Sequence, residues 1–223
     1  MTQESRQGQI ISADVQRLHV AVVGLGTVGS WLVPLLVKLG VGHVEIWDDD
    51  KVEEANTEVQ IYGATDKGVN KAEALVAKLL SMQGEVSLRT GQQISFHPER
   101  MKVIPKIRPN VVISCVDNWT GRRLALEWAV KARASAFIEA RMIARYRIVH
   151  AIRPSNKADV AWLIDTFGDD KTSTAPPCGV RGAAFLGASA ASEIAAVVCN
   201  LVNGEDFPRE MPYELSVHLP IAI

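Results

Sequence analysis

Three glycines and three aspartates in the first quarter of the chain are the residues whose spacing carries the most chemistry. Gly24, Gly26 and Gly29 form a G-x-G-x-x-G run, and three consecutive aspartates begin at Asp48, about 20 residues further along. Such glycines let the backbone turn tightly and approach phosphate groups, and an acid at this distance can bind the hydroxyl groups of a ribose. The spacing therefore predicts a nucleotide-binding site.

The residues around this run predict the elements that must hold it in place. An apolar stretch from Leu18 precedes the glycines, an apolar helical stretch follows them, and a second apolar strand ends at Trp47. This order places the N-terminus of the helix, with its free N–H groups and positive dipole, at the glycine run. Pro34 falls inside the helix, where a proline removes one hydrogen bond and tends to introduce a kink.

The rest of the chain alternates between patterns typical of helices and of strands. We therefore expect an α/β fold, a Rossmann-like doubly wound and mostly parallel sheet with helices on both faces and a C-terminal antiparallel extension. Residues 1–223 are expected to form a single nucleotide-binding domain, with a long crossover loop near 153–181. Further helices are predicted over residues 69–82, 119–134 and 182–201, and further strands over 86–94, 110–116, 136–140, 145–152 and 213–223.

Bulk composition argues against several other classes of protein. The 223 residues carry a formal net charge of −1, so neither nucleic acid nor a membrane is expected as a partner. Cys115, Cys178 and Cys199 lack the C-x-x-C spacing of a cysteine zinc site and cannot all pair in disulfides. The polar N-terminus lacks a signal-peptide core, and polar residues interrupt the apolar stretch at 183–202. We expect that stretch to be a buried helix, and the protein to be cytoplasmic.

Several motifs occur in the order seen in the ubiquitin-activating E1-like family, and the chain resembles its sulfur-carrier-activating type (ThiF/MoeB/HesA). After the glycine run, the family pattern reads G-V-G, D-x-D-x-V, S-N-x-x-R-Q, G-x-x-K-A and D-N-x-x-x-R. A C-G-V sequence before a helix of small residues resembles the family's crossover and closing helix. The resemblance covers roughly residues 18–203. The matching residues are Gly24, Gly26, Gly29, Gly40, Val41, Gly42, Asp48, Asp50, Val52, Asn56, Gln60, Gly68, Lys71, Ala72, Asp117, Asn118, Arg122, Cys178, Gly179, Val180 and Glu193.

The resemblance implies an adenylyltransferase that activates a carboxylate with ATP and Mg²⁺ and releases pyrophosphate. The transition state spreads negative charge, so such a site needs cations and N–H donors more than covalent chemistry. By this analogy Asp48 holds the ribose, Lys71 neutralises phosphate charge and Asn56 bonds a phosphate or ribose oxygen. Asp117 holds Mg²⁺, and Asp50 faces the metal or the reacting carboxylate. The expected nucleotide-binding residues are Gly24, Gly26, Thr27, Gly29, Asp48, Asn56 and Lys71, and the expected catalytic residues are Asp117, Lys71, Asp50 and Cys178.

The chain also departs from the family pattern. Val59 stands where the S-N-x-x-R-Q motif has an arginine that helps to stabilise phosphate charge. Arg6 is the candidate for a second family arginine, which reaches into a partner subunit, although its spacer to the glycine run is shorter than usual. The two C-x-x-C zinc pairs of many members are missing.

Simpler roles compete for several of the matching residues. Asp117 can serve as the N-cap of the following helix, and Lys71 can be an ordinary surface lysine. Asp49 is expected to lie in a solvated turn. Arg122 is expected to be structural and to bridge acidic groups.

The cysteines and histidines divide in the same way. Cys178 aligns with a family position that can take part in sulfur or thioester chemistry, but most loop cysteines are inert. Cys115 and Cys199 lie in apolar runs and are expected in the core. His19 and His97 do not indicate a ligand cluster.

Three functions remain open at this point. The first is ATP-dependent adenylation by a homodimer, acting on the C-terminus of a ubiquitin-like or sulfur-carrier protein or on a small carboxylic acid. The second is an NAD-dependent oxidoreductase, which suits the glycine run and Asp48 but has no need for Asp50, Asn56 and Lys71. The third is a non-catalytic nucleotide-binding subunit, and Val59 is the residue that favours it.

Overall fold

A mixed sheet of seven strands lies at the centre of the computed structural model, which describes residues 7–83, 91–143, 145–171 and 183–214. The strands are β1 (His19–Val23), β2 (His43–Trp47), β3 (Gln93–His97), β4 (Val111–Ser114), β5 (Ala136–Ile143), β6 (Tyr146–Ile152) and β7 (Glu210–Glu214). Their order across the sheet is β3-β2-β1-β4-β5-β6-β7. Pairing is parallel from β3 to β5 and antiparallel from β5 to β7, which confirms the predicted fold class.

Helices connect the strands and cover both faces of the sheet. They are α1 (Gly29–Leu39), α2 (Lys71–Gln83), α3 (Trp119–Ala132), α4 (Lys157–Asp165) and α5 (Ala184–Asn203). α1 and α5 are followed by Gly40 and Gly204, whose φ angles of +96° and +73° allow the left-handed turn that closes a helix. α1 continues through Pro34 without a break in the helix.

Two apolar clusters hold these layers together, one on each face of the sheet. The first packs α1, α2 and α5 against the sheet, and Leu75 and Ile194 are fully buried in it. The second packs α3 and α4 against the opposite face, through side chains such as Trp128 and Leu163. Burial of one such side chain stabilises the fold by roughly 1.5–3 kcal/mol. The carboxyl ends of the parallel strands are therefore held between two packed layers.

α5 packs into the first cluster along one face. Ala190, Ile194 and Val198 recur at helical spacing and are buried. Gly187 lies so close to the loop after β1 that an added Cβ would be 2.2 Å from the carbonyl oxygen of Thr27. By length and composition α5 could also cross a membrane, a test that the core helices of soluble proteins pass as well. Its packing against α1 and the sheet agrees with the predicted buried helix.

The predicted crossover loop at 153–181 is wrong in part, because the segment contains α4. Asn156 starts this helix by accepting hydrogen bonds from the backbone N–H groups of Ala158 and Asp159. Leu163 then buries its side chain in the second cluster. An apolar pattern of nine residues is too short to distinguish a helix from a loop by periodicity alone.

Two predicted strands are shifted relative to the structure. The third strand, expected at 86–94, is observed at Gln93–His97, and residues 84–90 lie outside the described residues. The last strand, expected at 213–223, is observed at Glu210–Glu214, and residues 215–223 also lie outside the described part.

Candidate functional site

The loop between β1 and α1 needs glycine at two positions for steric reasons. Gly24 has a φ of +92°, and an added Cβ would lie 2.8 Å from the carbonyl carbon of Cys115. An added Cβ on Gly29 would lie 2.0 Å from the carbonyl oxygen of Gly24, because the first turn of α1 crosses the loop there. Both glycines therefore press the loop against the end of β4.

Gly26 differs from these two, since no described residue requires a glycine there. An added Cβ would meet Gln60 Nε2 at 4.0 Å, an ordinary contact, and its φ lies outside the left-handed region. The side chain of Gln60 is buried, and its Oε1 has no hydrogen-bond partner among the described residues. The N-cap residue of α1, Val28, also leaves the first N–H groups without a side-chain cap. This side of the loop offers room and polar groups to a ligand.

Asp48 joins the end of β2 to the glycine loop. Its Oδ2 accepts a hydrogen bond from the backbone N–H of Leu25 at 2.6 Å, and its Oδ1 accepts one from Asp50 at 2.8 Å. Burial raises the pKa of Asp48, and these hydrogen bonds and the charge of Lys71 offset only part of that effect. A carboxylate has about four acceptor positions, so Asp48 retains capacity for ribose hydroxyl groups.

Lys71 is held at the acid turn and is not the ordinary surface lysine of the competing interpretation. It is only 6% exposed, and its Nζ lies 2.8 Å from Oδ2 of Asp50, whose side chain is 59% exposed. The side-chain amide of Asn70 donates to the carbonyl oxygens of Asp48 (3.0 Å) and Asp50 (3.2 Å). The start of α2 therefore places a cation beside the aspartates and fixes the turn that carries them.

Tyr62 is a residue of this site that the sequence did not single out. Its buried hydroxyl group lies 3.0 Å from the carbonyl oxygen of Leu25 and 3.2 Å from that of Lys71. Burial raises the pKa of Tyr62, so the phenol stays protonated and can donate. Tyr62 thereby links the glycine loop to the start of α2. An aromatic residue in an otherwise polar loop was the available signal.

Asp117 follows β4 and has an exposed side chain. The competing N-cap role belongs to its neighbour, since Asn118 Oδ1 accepts the backbone N–H of Gly121 at 2.7 Å. Asp170 also binds the start of α3, accepting from the backbone N–H groups of Trp119 (2.6 Å) and Thr120 (2.9 Å). Asp117 is therefore left with its carboxylate free of any capping role.

The sheet order brings most of the predicted residues to one edge. β1 lies between β2 and β4, and all three run parallel, so the glycine loop, Asp48 and Asp117 share the carboxyl edge. Asn56 uses its side-chain oxygen to accept the backbone N–H of Glu53 at 3.0 Å, which leaves its amide N–H groups for a ligand. Thr27 belongs to the glycine loop and backs onto α5. Arg6 and Cys178 lie outside the described residues.

The structure also shows the surroundings of Asp49, Cys115 and Val59. Asp49 is exposed and pairs with Arg100, whose Nε lies 3.2 Å from its Oδ2. Burial raises the pKa of Cys115 to about 12, so its thiol stays protonated. Val59 is half-buried, and its carbonyl oxygen accepts the indole N–H of Trp31 in α1 at 3.2 Å. Hence the position of the family arginine is part of the packing beside α1.

Arg122 is structural, as expected, and its partner is a carboxylate that the sequence did not reveal. Its Nη1 donates to Glu139 Oε2 and, at 2.9 Å, to the carbonyl oxygen of Ala140. Glu139 is fully buried and also contacts Arg141 and His150. Burial alone would raise the pKa of Glu139, but the hydrogen bond from His150 and the two arginines outweigh it and lower the pKa to about 2.

The fold and the site together define a Rossmann-like α/β protein in which an acid turn, paired with a buried lysine, lies beside the glycine loop. A model of the ThiF family matches residues 5–211, and the chain belongs to this family. Family membership confirms the E1-like resemblance that the motifs carried.

Curated relatives include ubiquitin-like modifier-activating enzyme 5 from several animals. The enzyme of Caenorhabditis elegans is 31% identical over 117 residues, which cover 48% of this chain and 28% of the relative. That of Branchiostoma floridae is 30% identical over 135 residues, which cover 56% of this chain and 33% of the relative. The chain thus matches at most about a third of the length of these two relatives.

Solved structures show the same fold at low sequence identity. MccB of E. coli with ATP superposes with a TM-score of 0.68 and 15% identity, covering 91% of this chain and 62% of MccB. PaaA superposes with a TM-score of 0.66 and 18% identity, covering 91% of this chain and 71% of PaaA. MccB has also been crystallised with AMPCPP and MccA.

Proposed function

We propose that the chain carries out ATP-dependent adenylation of a carboxylate, with release of pyrophosphate. The observation that carries the proposal is the buried Lys71 ammonium group, which lies 2.8 Å from Asp50 on the turn that Asp48 ties to the glycine loop. Attack of a carboxylate on the α-phosphate concentrates negative charge, and a fixed cation near the phosphates stabilises it. A hydride-transfer enzyme has no need for this pair.

The residues at the carboxyl edge fit the nucleotide. Gly26 leaves room beside the uncapped N-terminus of α1, where N–H groups favour phosphate. Gln60 Oε1, buried and without a partner among the described residues, is available to a donor such as a ribose hydroxyl or adenine amino group. Asp48 holds the loop and accepts from the ribose, while Asn56 donates to a phosphate or ribose oxygen.

Asp117 is the proposed ligand for Mg²⁺. Its exposed carboxylate lies at the same edge as Asp48 and has no capping role, and hard oxygen donors of this kind suit the cation. The ion would neutralise phosphate charge and assist the departure of pyrophosphate. Asp50 orients Lys71 and faces the metal or the incoming carboxylate.

The proposed acyl substrate is a terminal carboxylate, with a small acid as the second possibility. Support comes from relatives that are named for activating ubiquitin-like modifiers and from the structure of MccB with MccA.

We further propose that the active assembly is a homodimer, which size-exclusion chromatography with light scattering would test. A monomer with full exchange activity would refute this part.

The test is exchange of labelled pyrophosphate into ATP, run against a panel of carrier-protein tails and small acids. We expect exchange that depends on both Mg²⁺ and one class of added carboxylate. Asp117→Ala should abolish it, whereas Asp165→Ala, which removes an exposed aspartate from α4, should leave it unchanged. Full exchange in Asp117→Ala would disprove the metal assignment.

The main alternative is a nucleotide-binding subunit without turnover, which the half-buried Val59 at the family arginine position favours. It predicts thermal stabilisation by ATP–Mg²⁺ with no exchange on any substrate of the panel. Stabilisation by NAD in place of ATP–Mg²⁺ would support the oxidoreductase instead and refute adenylation.

A further inference from the structure

A polar cluster made of His19, His43, Glu45 and His97 lies on the sheet face of the second apolar cluster. Parallel pairing sets His19 opposite His43, and His97 opposite Trp47. Alternation along β2 puts His43 and Glu45 on the same face as Trp47, which belongs to the second apolar cluster. These residues come from three strands, so the sequence positions of His19 and His97, which do not indicate a ligand cluster, do not reveal that the fold brings them together.

The distances within this histidine cluster are short. Glu45 Oε2 lies 2.6 Å from His19 Nε2, and Glu45 Oε1 lies 2.9 Å from His97 Nε2. The rings of His19 and His43 stack with centroids 4.1 Å apart. One ligand atom from each of His19, His43 and Glu45 lies within 4.8 Å of the other two.

The buried carboxylate of Glu45 has histidines as partners, whereas the buried carboxylate of Glu139 has arginines. Glu45 is 5% exposed, and its ion-pair partners among the described residues are His19 and His97. Glu139, the other carboxylate deep in this sheet, has two arginines, which stay charged at any physiological pH. A buried carboxylate is stabilised by a nearby positive charge and by groups that satisfy its oxygens. A divalent metal ion would supply that charge and would use the same imidazole nitrogens as ligands.

We propose that His19, His43 and Glu45 bind a divalent transition-metal ion of the zinc class. Imidazole nitrogen and carboxylate oxygen are standard zinc ligands at about 2.0–2.2 Å, which places ligand atoms roughly 3.3–3.5 Å apart around a tetrahedral ion. The rings of His19 and His43 lie within 10° of parallel, and a bound ion must lie near the plane of each ring, so binding turns one ring out of the stack. Three protein ligands leave the fourth position to water.

The surroundings orient the ligands and allow access. His97 holds the second oxygen of Glu45, and Ser95 Oγ lies 2.9 Å from His43 Nε2, which is the outer-shell support that metal-binding residues commonly have. The side chain of His19 is 21% exposed and that of His97 is 33% exposed, so solvent and an ion can reach the cluster. The site is distinct from the carboxyl edge, and its existence does not depend on adenylation.

The test is metal titration of chelator-treated protein with Zn²⁺ in competition with a chromophoric chelator, and with Co²⁺ followed by absorption. We expect one equivalent of metal with a tetrahedral Co²⁺ spectrum and no thiolate charge-transfer band. Since outer-shell changes cost 10–100-fold in metal affinity, His19→Gln and His43→Gln should each weaken Zn²⁺ binding by more than about 100-fold. His97→Gln should weaken it by only about tenfold, because His97 positions Glu45 and is not itself a ligand.

Asp49→Asn is the matched control, since Asp48, Asp49 and Asp50 form a second group of possible ligands. It should leave Zn²⁺ affinity unchanged. Circular dichroism and thermal melts without metal establish that each variant folds, and Zn²⁺ should raise the melting temperature of the wild type but not of His43→Gln. Absence of stoichiometric binding in the wild type, unchanged affinity in both histidine variants, or loss of affinity in Asp49→Asn would each overturn the proposal.

Discussion

Asp48, half-buried at the end of β2, and Glu139, fully buried in β5, are both carboxylates of the sheet, but their surroundings have opposite effects on them. Asp48 contacts backbone N–H groups of Leu25 and Asp50, and burial raises its pKa. Glu139 has no exposed surface, contacts Arg122, Arg141 and His150, and has a pKa lowered to about 2.

This difference in partners distinguishes Asp48, a candidate binding residue, from Glu139, which belongs to a structural ion-pair network. The protein satisfies Glu139 completely, so that carboxylate can only stabilise β5, α3 and β6. Asp48 accepts two backbone N–H groups and lies in the field of Lys71, whose ion pair is with Asp50, which leaves both aspartates able to respond to a ligand. We therefore expect changes at Glu139 to act on stability and changes at Asp48 to act on activity.

The largest expected effect follows from Glu139→Gln. It leaves Arg122 buried without a counter-charge, so the free energy of unfolding should fall by about 3–5 kcal/mol. Urea unfolding of both proteins measures this. Glu127→Gln, which breaks an exposed pair with Lys131, is the control and should cost less than about 1 kcal/mol. A Glu139 variant as stable as the control would remove the contrast between the two regions.

The stability of the wild type and that of Glu139→Gln should depend on pH in different ways. The folded-state pKa of Glu139 is about 2, below its ordinary value of 4.5, so its stabilisation is present above pH 4.5 and is lost as the pH falls toward 2. The stability difference between wild type and Glu139→Gln should therefore shrink across this range. A difference that stays constant from pH 5 to pH 2 would contradict the ionised, paired state of Glu139.

Asp48→Asn should lower activity much more than stability, the reverse of what we expect for Glu139→Gln. Pyrophosphate exchange should fall by about 100-fold, equivalent to about 2.7 kcal/mol, because the ribose loses a charged acceptor. Stability should fall by only about 1 kcal/mol, since one of the two backbone hydrogen bonds can persist. Parallel measurement of exchange and urea unfolding tests this. A loss of stability as large as that of Glu139→Gln would mean that Asp48 is structural.

Gly24 and Gly26, the first two glycines of the run, should also differ, one in its effect on stability and the other in its effect on ligand binding. Gly24→Ala places a Cβ 2.8 Å from the carbonyl carbon of Cys115 at a φ of +92°, and should cost about 2 kcal/mol or more of stability. Among the described residues, the new Cβ of Gly26→Ala meets nothing closer than 4.0 Å, so the variant should fold like the wild type while it weakens ATP binding by intruding on ligand space. Thermal melts with and without ATP–Mg²⁺ measure both effects. A Gly26→Ala protein with unchanged ATP stabilisation would count against the loop as the phosphate site.

The smallest expected effect is that of Tyr62→Phe. Loss of the hydroxyl group leaves the carbonyl oxygens of Leu25 and Lys71 without this donor, at a cost of about 1 kcal/mol. Tyr213→Phe, at a side chain that is 41% exposed, is the control and should change stability by less than about 0.5 kcal/mol. Equal effects in both variants would show that Tyr62 does not link the loop to α2.

The parts of the site that the sequence predicts are those formed by neighbouring residues. The glycine run and Asp48 follow from spacing within a strand–loop–helix–strand unit, where chain connectivity fixes the geometry, whereas Lys71 follows from its match to the family motif G-x-x-K-A. Glu139 was not predicted and Gln60 matched the family motif without a predicted role, because their environments depend on residues that come together only when the sheet forms. The helix α4 was not predicted, because one short apolar pattern does not outweigh the loop residues around it.

Pro212 in β7 has a consequence for how copies of this protein behave in crowded solution. β7 is the last strand in the sheet order of the described residues, and an outer strand exposes donors and acceptors on which another chain can add a strand. Pro212 has no N–H to donate, and proline within sheets is found essentially at edge strands. A proline interrupts the regular ladder that strand addition would need, so we expect β7 to be a poor template for adding a strand from another copy.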